Sequence, residues 1–207
     1  MIIITLVIAA LMGILAGQTA RKNKVAYKML PLLRPRHILT GIASVVVTFT
    51  AIVAFMAPGW TILNWGWWSA VGGVGNMSLG QTQGTGTAGV VIGIAVLTAV
   101  LVALPALAMV EELQYRVGAE NQTTGKRIRR AVAFGFVHMI VGVPVAAALA
   151  LSIAGGVFTW VYLRGVKRSK SSDPAVKAGQ GLADATLVHT VHNVVAVGAA
   201  ATALLLL

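Results

Sequence analysis

The sequence predicts an all-α polytopic membrane bundle of about six membrane segments, one of them short or broken near Gly142–Pro144. Three observations carry this expectation. The chain is 57% hydrophobic and only 10% charged, against roughly 25% charged residues in a soluble domain. Its apolar residues fall in runs long enough to cross a hydrocarbon core of ~30 Å, which takes about 20 helical residues. Those runs lack a polar face, which argues against a soluble helical bundle. The 207 residues therefore read as a single membrane domain: 1–87 supplies N-terminal helices and a Trp-rich outer segment, and 88–207 supplies the core that carries every motif.

The first segment runs from Ile2 to about Ala20. Its charge follows the apolar run, whereas a signal peptide leads with a positive n-region. The reading is an uncleaved helix with its N-terminus outside, cleavage near Ala20 being the alternative. A basic loop with Arg21, Lys22, Lys24, Lys28, Arg34 and Arg36 precedes the second segment, about Ile38 to Ala57, which Pro58-Gly59 stops. Next comes an uncharged stretch holding four of the five tryptophans, between Trp60 and Trp68. Tryptophan favours the headgroup level, so an interfacial segment or short re-entrant turn is expected there. The glycines that follow lack the Gly-Lys-Ser/Thr ending of a phosphate loop and read as an outer loop.

The third segment covers about Ala88 to Val110 and runs into Glu111-Glu112-Leu113-Gln114-Tyr115-Arg116. After the cluster Lys126, Arg127, Arg129 and Arg130, the chain is almost wholly apolar from Ala131 to Leu163. Gly142-Val143-Pro144 divides this stretch, because proline breaks the helical ladder and keeps its predecessor out of the α region. The first limb, about Ile128 to Val141, is short, and its end needs protein or a water-filled cavity around it. A polar loop, RGVKRSKSSDPAVKAGQG, leads to the last segment, about Leu182 to Leu207.

The formal net charge is +11. All sixteen Lys and Arg residues lie between Arg21 and Lys177, and none lies between His37 and Tyr115. Such clusters beside apolar runs are topology signals that place the basic loops on the cytosolic side. A nucleic-acid binder needs instead a basic face on a folded surface, so no nucleic-acid partner is expected. The expected location is the plasma membrane of a prokaryote-like cell. The absence of cysteine excludes disulfides and thiolate catalysis.

Ionisable groups at membrane depth cost roughly 2.5–3.5 kcal/mol each and call for a reason. Few are present: Glu111, Glu112 and Arg116 close the third segment, His138 lies in the fourth, and Asp184, His189, His192 and Asn193 lie in the last. At 1.5 Å per residue, His138 lies about 12 Å past Arg130 and His189 about 10 Å past Leu182. The two glutamates enter from the same side, so three segments place polar groups at one level. Glu112 and Arg116 are four apart, as are His189 and Asn193, and such pairs share a helix face. His192 leans toward the same side. Each group alone has a plainer reading: flank residues that snorkel to water, a packed histidine, interhelical hydrogen-bond glue, an interfacial acid at Asp184. Their joint occurrence favours a site.

Three motifs in this order, Glu111-Glu112-x-x-x-Arg116, Phe134-x-x-x-His138 and His189-x-x-x-Asn193, resemble those of the CAAX protease and bacteriocin-processing family. That family is also called the Abi family or the type II CAAX prenyl endopeptidases. The resemblance covers about 88–207. Tyr115 stands where relatives commonly have Phe, and Val117 where they have Gly. The resemblance implies an intramembrane glutamic endopeptidase that needs no cofactor. In it Glu111 and His138 activate a water, and His189 and Asn193 stabilise the oxyanion. Glu112, Arg116, Phe134 and His192 support the site. The substrate would be a membrane-associated peptide or a prenylated protein, reached from the cytosolic side.

Three other readings stay open. Two glutamates and three histidines offer donors that suit Zn²⁺, although HExxH is absent. A non-catalytic immunity or scaffold protein would tolerate loss of Glu111. A transporter would place its polar groups at the midplane between repeats, and no internal repeat is evident.

Overall fold

The computed structural model describes residues 2–57, 59, 61–67 and 86–206, and every regular element among them is helical. The helices are α1 (Ile2–Lys22), α2 (Val25–Met29), α3 (Pro35–Phe55), α4 (Gly86–Tyr115), α5 (Thr124–Val137), α6 (Val145–Arg168) and α7 (Pro174–Leu206). Short 3-10 turns occupy Leu30–Leu32, Thr61–Asn64, Ala119–Asn121 and His138–Val141. Among the described residues three stretches are long and apolar enough to cross a membrane: Pro35–Phe55, Leu97–Asn121 and Val145–Arg168. Large apolar side chains such as Leu39, Val53, Val102, Ile140 and Ile153 face outward, while Glu112, Arg116, Asp184, His189 and His192 are buried. A soluble protein distributes these types the other way. The three apolar helices and this inverted surface suggest a membrane protein.

Helices α6 and α7 form the centre: α6 packs against α3, α5 and α7, α7 also packs against α3 and α4, and α1 packs on α4. Small residues permit the tightest crossings. A Cβ at Gly165 would stand 2.7 Å from the Gly181 Cα, so α6 and α7 approach backbone to backbone. At Gly135 it would collide with the Ala148 carbonyl and the Ser152 hydroxyl, which fixes α5 against α6. Tyr115, Phe134, Phe158, Val161, Tyr162 and Val188 form the main buried cluster where α4, α5, α6 and α7 converge.

Turn chemistry orients these helices. Gly118 takes a left-handed conformation, φ +84°, just after α4, a backbone state in which glycine meets no Cβ penalty. Its amide donates to the Tyr162 hydroxyl, which in turn donates to Glu120 Oε2 at 2.8 Å. Arg127 and Arg130 reach back from α5 to the Ala119 and Val117 carbonyls, satisfying acceptors that a helix end leaves over. At the other end of α5, Gly142 has φ +83° and Pro144 precedes α6. The tryptophan segment closes on this corner: Trp67 Nε1 donates to the Met139 carbonyl at 2.6 Å, and the Val145 amide donates to the Trp65 carbonyl. Trp60, Trp68 and the glycine-rich stretch up to 85 lie outside the described residues.

Several boundaries differ from the hydropathy reading. Glu111 to Tyr115 belong to α4 itself, not to a flank beyond it. Helix α5 begins at Thr124 and gives way to a 3-10 turn at His138, so this histidine sits at a helix end. Helix α7 starts at Pro174, about two turns before Leu182, which shortens the expected polar loop. The cause is local: Asp173 Oδ1 accepts from the Ala175 amide at 2.8 Å, an N-cap with proline in the first helical position. The first turns of α7 are polar, so hydropathy passed over them. Asp184 is therefore well inside α7 and buried, not a first-turn acid.

Candidate functional site

Helix α4 delivers Glu111 and Glu112 and, one residue past its end, Arg116; α5 delivers Phe134 and the 3-10 turn after it His138; α6 delivers Phe158, and α7 delivers His189 and His192. The deepest part is a charged pair. Arg116 Nε lies 3.4 Å from Glu112 Oε2, and both side chains are 0% exposed. Their spacing of four puts them on one face of α4. The guanidinium carbon stands 4.6 Å from the Phe134 ring centre and within 6 Å of the Tyr115 and Phe158 ring centres. A delocalised cation is favoured over such faces. Glu112 spends its other oxygen on α7: Oε1 lies 2.9 Å from His189 Nδ1.

His189 is held on all sides. Its ring stacks on Phe158 with centres 4.3 Å apart and planes at 21°, and the edge of Phe134 meets it at 5.5 Å. Its second nitrogen, Nε2, lies 3.3 Å from Glu111 Oε2. This is within ion-pair distance without hydrogen-bond angles, since Oε2 has no hydrogen-bond partner among the described residues. Both nitrogens of one imidazole thus face carboxylate oxygens. With Nδ1–H given to Glu112, an unprotonated Nε2 would set lone pair against lone pair. A proton on Nε2 or on Glu111 removes the conflict.

Glu111 and His138 form the outer part, with side chains 29% and 23% exposed. His138 Nδ1 lies 2.8 Å from the Phe134 carbonyl. A carbonyl only accepts, so Nδ1 carries the proton and neutral His138 turns the Nε2 lone pair outward. That nitrogen is 3.9 Å from Glu111 Oε1, too long for a direct hydrogen bond.

The structure thus brings Glu111, Glu112, Arg116, Phe134, His138 and His189 into one cluster. His192 points elsewhere: its Nδ1 lies 3.1 Å from Ser44 Oγ on α3, and its ring meets Phe158 edge-on. Asn193 is half-buried one turn past His189, with no hydrogen bond from its side chain among the described residues. The described residues hold no group of three or more His or carboxylate donors arranged for a metal ion. Two buried features near the cluster are not marked in the sequence. Phe158 is an unmarked aromatic in an apolar run, and nothing local sets it apart. Buried His37 binds buried Asp184, Nε2 to Oδ1 at 3.0 Å, across 147 positions. No local pattern marks this second polar cluster, because its two residues meet only through the packing of α3 against α7.

Comparison of the chain with protein-family models, with curated proteins and with solved structures gave no match.

Proposed function

We propose that this chain is an intramembrane glutamic endopeptidase, with Glu111 as the base. The observation that carries the reading is the half-open pair Glu111 and His138, 3.9 Å apart, backed by a fully buried Glu112–Arg116 pair and by His189. A water between Glu111 Oε1 and His138 Nε2 donates one hydrogen to each, since both present lone pairs. Its oxygen attacks the peptide carbonyl carbon, and its proton passes to Glu111. The tetrahedral intermediate then expels the amine, which takes that proton from Glu111. Donors aimed at the developing oxyanion carry much of such catalysis in a dry pocket. By resemblance to the CAAX protease and bacteriocin-processing family these are His189 and Asn193. Because His189 Nε2 faces Glu111 in the resting site, its donation follows proton transfer to or within that pair.

The same reading takes six membrane segments, the N-terminus outside and the basic loops in the cytosol. The substrate is a membrane-associated peptide or a prenylated protein whose scissile bond enters from that side. Comparative proteomics of peptide termini, wild type against Glu111→Gln, is the test. A general base contributes about 10²–10⁴-fold, so specific termini present in the wild type should vanish in the variant at equal protein level. Unchanged termini would sink the mechanism.

A further inference from the structure

Beside the acid–histidine cluster, and not part of it, the start of α3 and the end of α6 enclose a cavity of about 490 Å³. Arg34, Arg36, Arg168 and Lys170 wall it, with Asp184 at its base. Four cations meet a single carboxylate. Asp184 is 2% exposed and binds Arg168 at 2.6 Å and Arg36 at 3.3 Å, while those arginines stay 41% and 39% exposed, respectively. The buried acid therefore holds two guanidinium groups in place without neutralising the site. Planar guanidinium forks held this way match phosphate oxygens.

The cavity continues along the helices. A smaller space lined by Arg36, His37, Thr40, Trp160 and Arg168 adjoins it. Thr40 and Trp160 also line an apolar groove of about 640 Å³ between α3 and α6, with Leu39, Val47 and Val157. Cations, then an aromatic at the boundary, then hydrocarbon is the order in which an anionic lipid presents phosphate, glycerol and acyl chain. Arg164 lies over the Trp160 ring at 4.9 Å, a pairing suited to the headgroup level. Basic pockets between membrane helices are known to take such headgroups.

We infer that this continuous cavity and groove bind one anionic phospholipid, its phosphate among Arg34, Arg36, Arg168 and Lys170 and one acyl chain between α3 and α6. The site is independent of the peptidase reading, and no step of that mechanism uses it.

The test is native mass spectrometry of the full chain in detergent with added phosphatidylglycerol or phosphatidylcholine, and inorganic phosphate as competitor. Wild type should retain phosphatidylglycerol well above phosphatidylcholine, with phosphate alone a weak competitor. A chain carrying Arg34→Gln and Lys170→Gln keeps both arginine–Asp184 pairs, so its fold is spared. Each cation near an anionic headgroup is worth about fivefold in affinity, so this variant, which loses two, should lose about twenty-five-fold in phosphatidylglycerol retention. At Gly156 a Cβ meets nothing within 4 Å, so Gly156→Trp should fill the groove without a core clash and expel lipid while the melting temperature holds. Equal retention of the two lipids, or unchanged retention in both variants, would overturn the site as proposed. So would displacement of phosphatidylglycerol by millimolar phosphate, which would leave a simple anion site. Absence of any phospholipid, with tight capture of an apolar peptide acid, would put a peptide there instead and also overturn it.

Discussion

At the residue scale, the buried Glu112–Arg116 pair decides most. Desolvating two ions costs more than their attraction returns unless geometry and neighbours compensate. Here Glu112 gains His189, and Arg116 gains the Phe134 face. Removing one partner strands the other, so Arg116→Leu should destabilise the chain by about 3–5 kcal/mol. Arg116→Lys keeps the charge but loses the flat contact on Phe134, and should recover only part. Thermal unfolding in detergent reads both; a loss below about 1 kcal/mol for Arg116→Leu would rank this pair with surface ion pairs. His138→Ala tests the outer part separately. It removes a partly exposed ring with one backbone hydrogen bond, so stability should shift little while cleavage falls about 10²–10⁴-fold. Motif spacing made Glu112–Arg116 legible, because four residues make one helix face. It left unseen that His189 would place both its nitrogens against carboxylates, since those contacts join α4 to α7.

At the scale of elements, close helix crossings set the site. The catalytic candidates sit on α4, α5 and α7, and α7 reaches its depth by meeting α6 at Gly165 and Gly181. Gly181→Leu would drive a side chain into the Tyr162 carbonyl and Val166, at a cost of about 1–3 kcal/mol or more. Gly179, two positions earlier, meets nothing within 4 Å, so Gly179→Leu is the matched control and should leave the melting temperature nearly unchanged. If both substitutions behave alike, the crossing is less tight than described. The division at Gly142–Pro144 was readable from chain chemistry alone. The true start of α7 was not read from hydropathy, because its first turns are polar and its signal is a cap, Asp173-Pro174.

At the scale of the whole molecule, the ends of the helices sort by charge. Arg34 and Arg36 at the start of α3 line one cavity with Arg168 and Lys170 at the end of α6, so these two helices run antiparallel with their basic ends together. The proposed topology puts those ends in the cytosol. The chain has no cysteine, so single cysteines report cleanly. Lys126→Cys and Ser171→Cys should react together with a membrane-impermeant maleimide only after the cytosolic face is opened, whereas Gly59→Cys should react from outside. Labelling of Lys126→Cys and Ser171→Cys from opposite faces would break the six-segment arrangement.

The sequence by itself determined the helical class, the presence of apolar runs long enough to cross a membrane and the short list of polar residues near them, because bilayer thickness and helical rise translate directly into run length. It also determined that Glu112 and Arg116 share a face. Only the tertiary structure decided which faces meet. His138 is turned by the Phe134 carbonyl, His189 is caught between two glutamates, His192 leaves the cluster for Ser44, and His37 finds Asp184 across the chain. Local periodicity orients a side chain about its own helix axis. The crossing partner is chosen by glycine contacts, turns and caps acting over long separations, and no repeat within one segment encodes that choice.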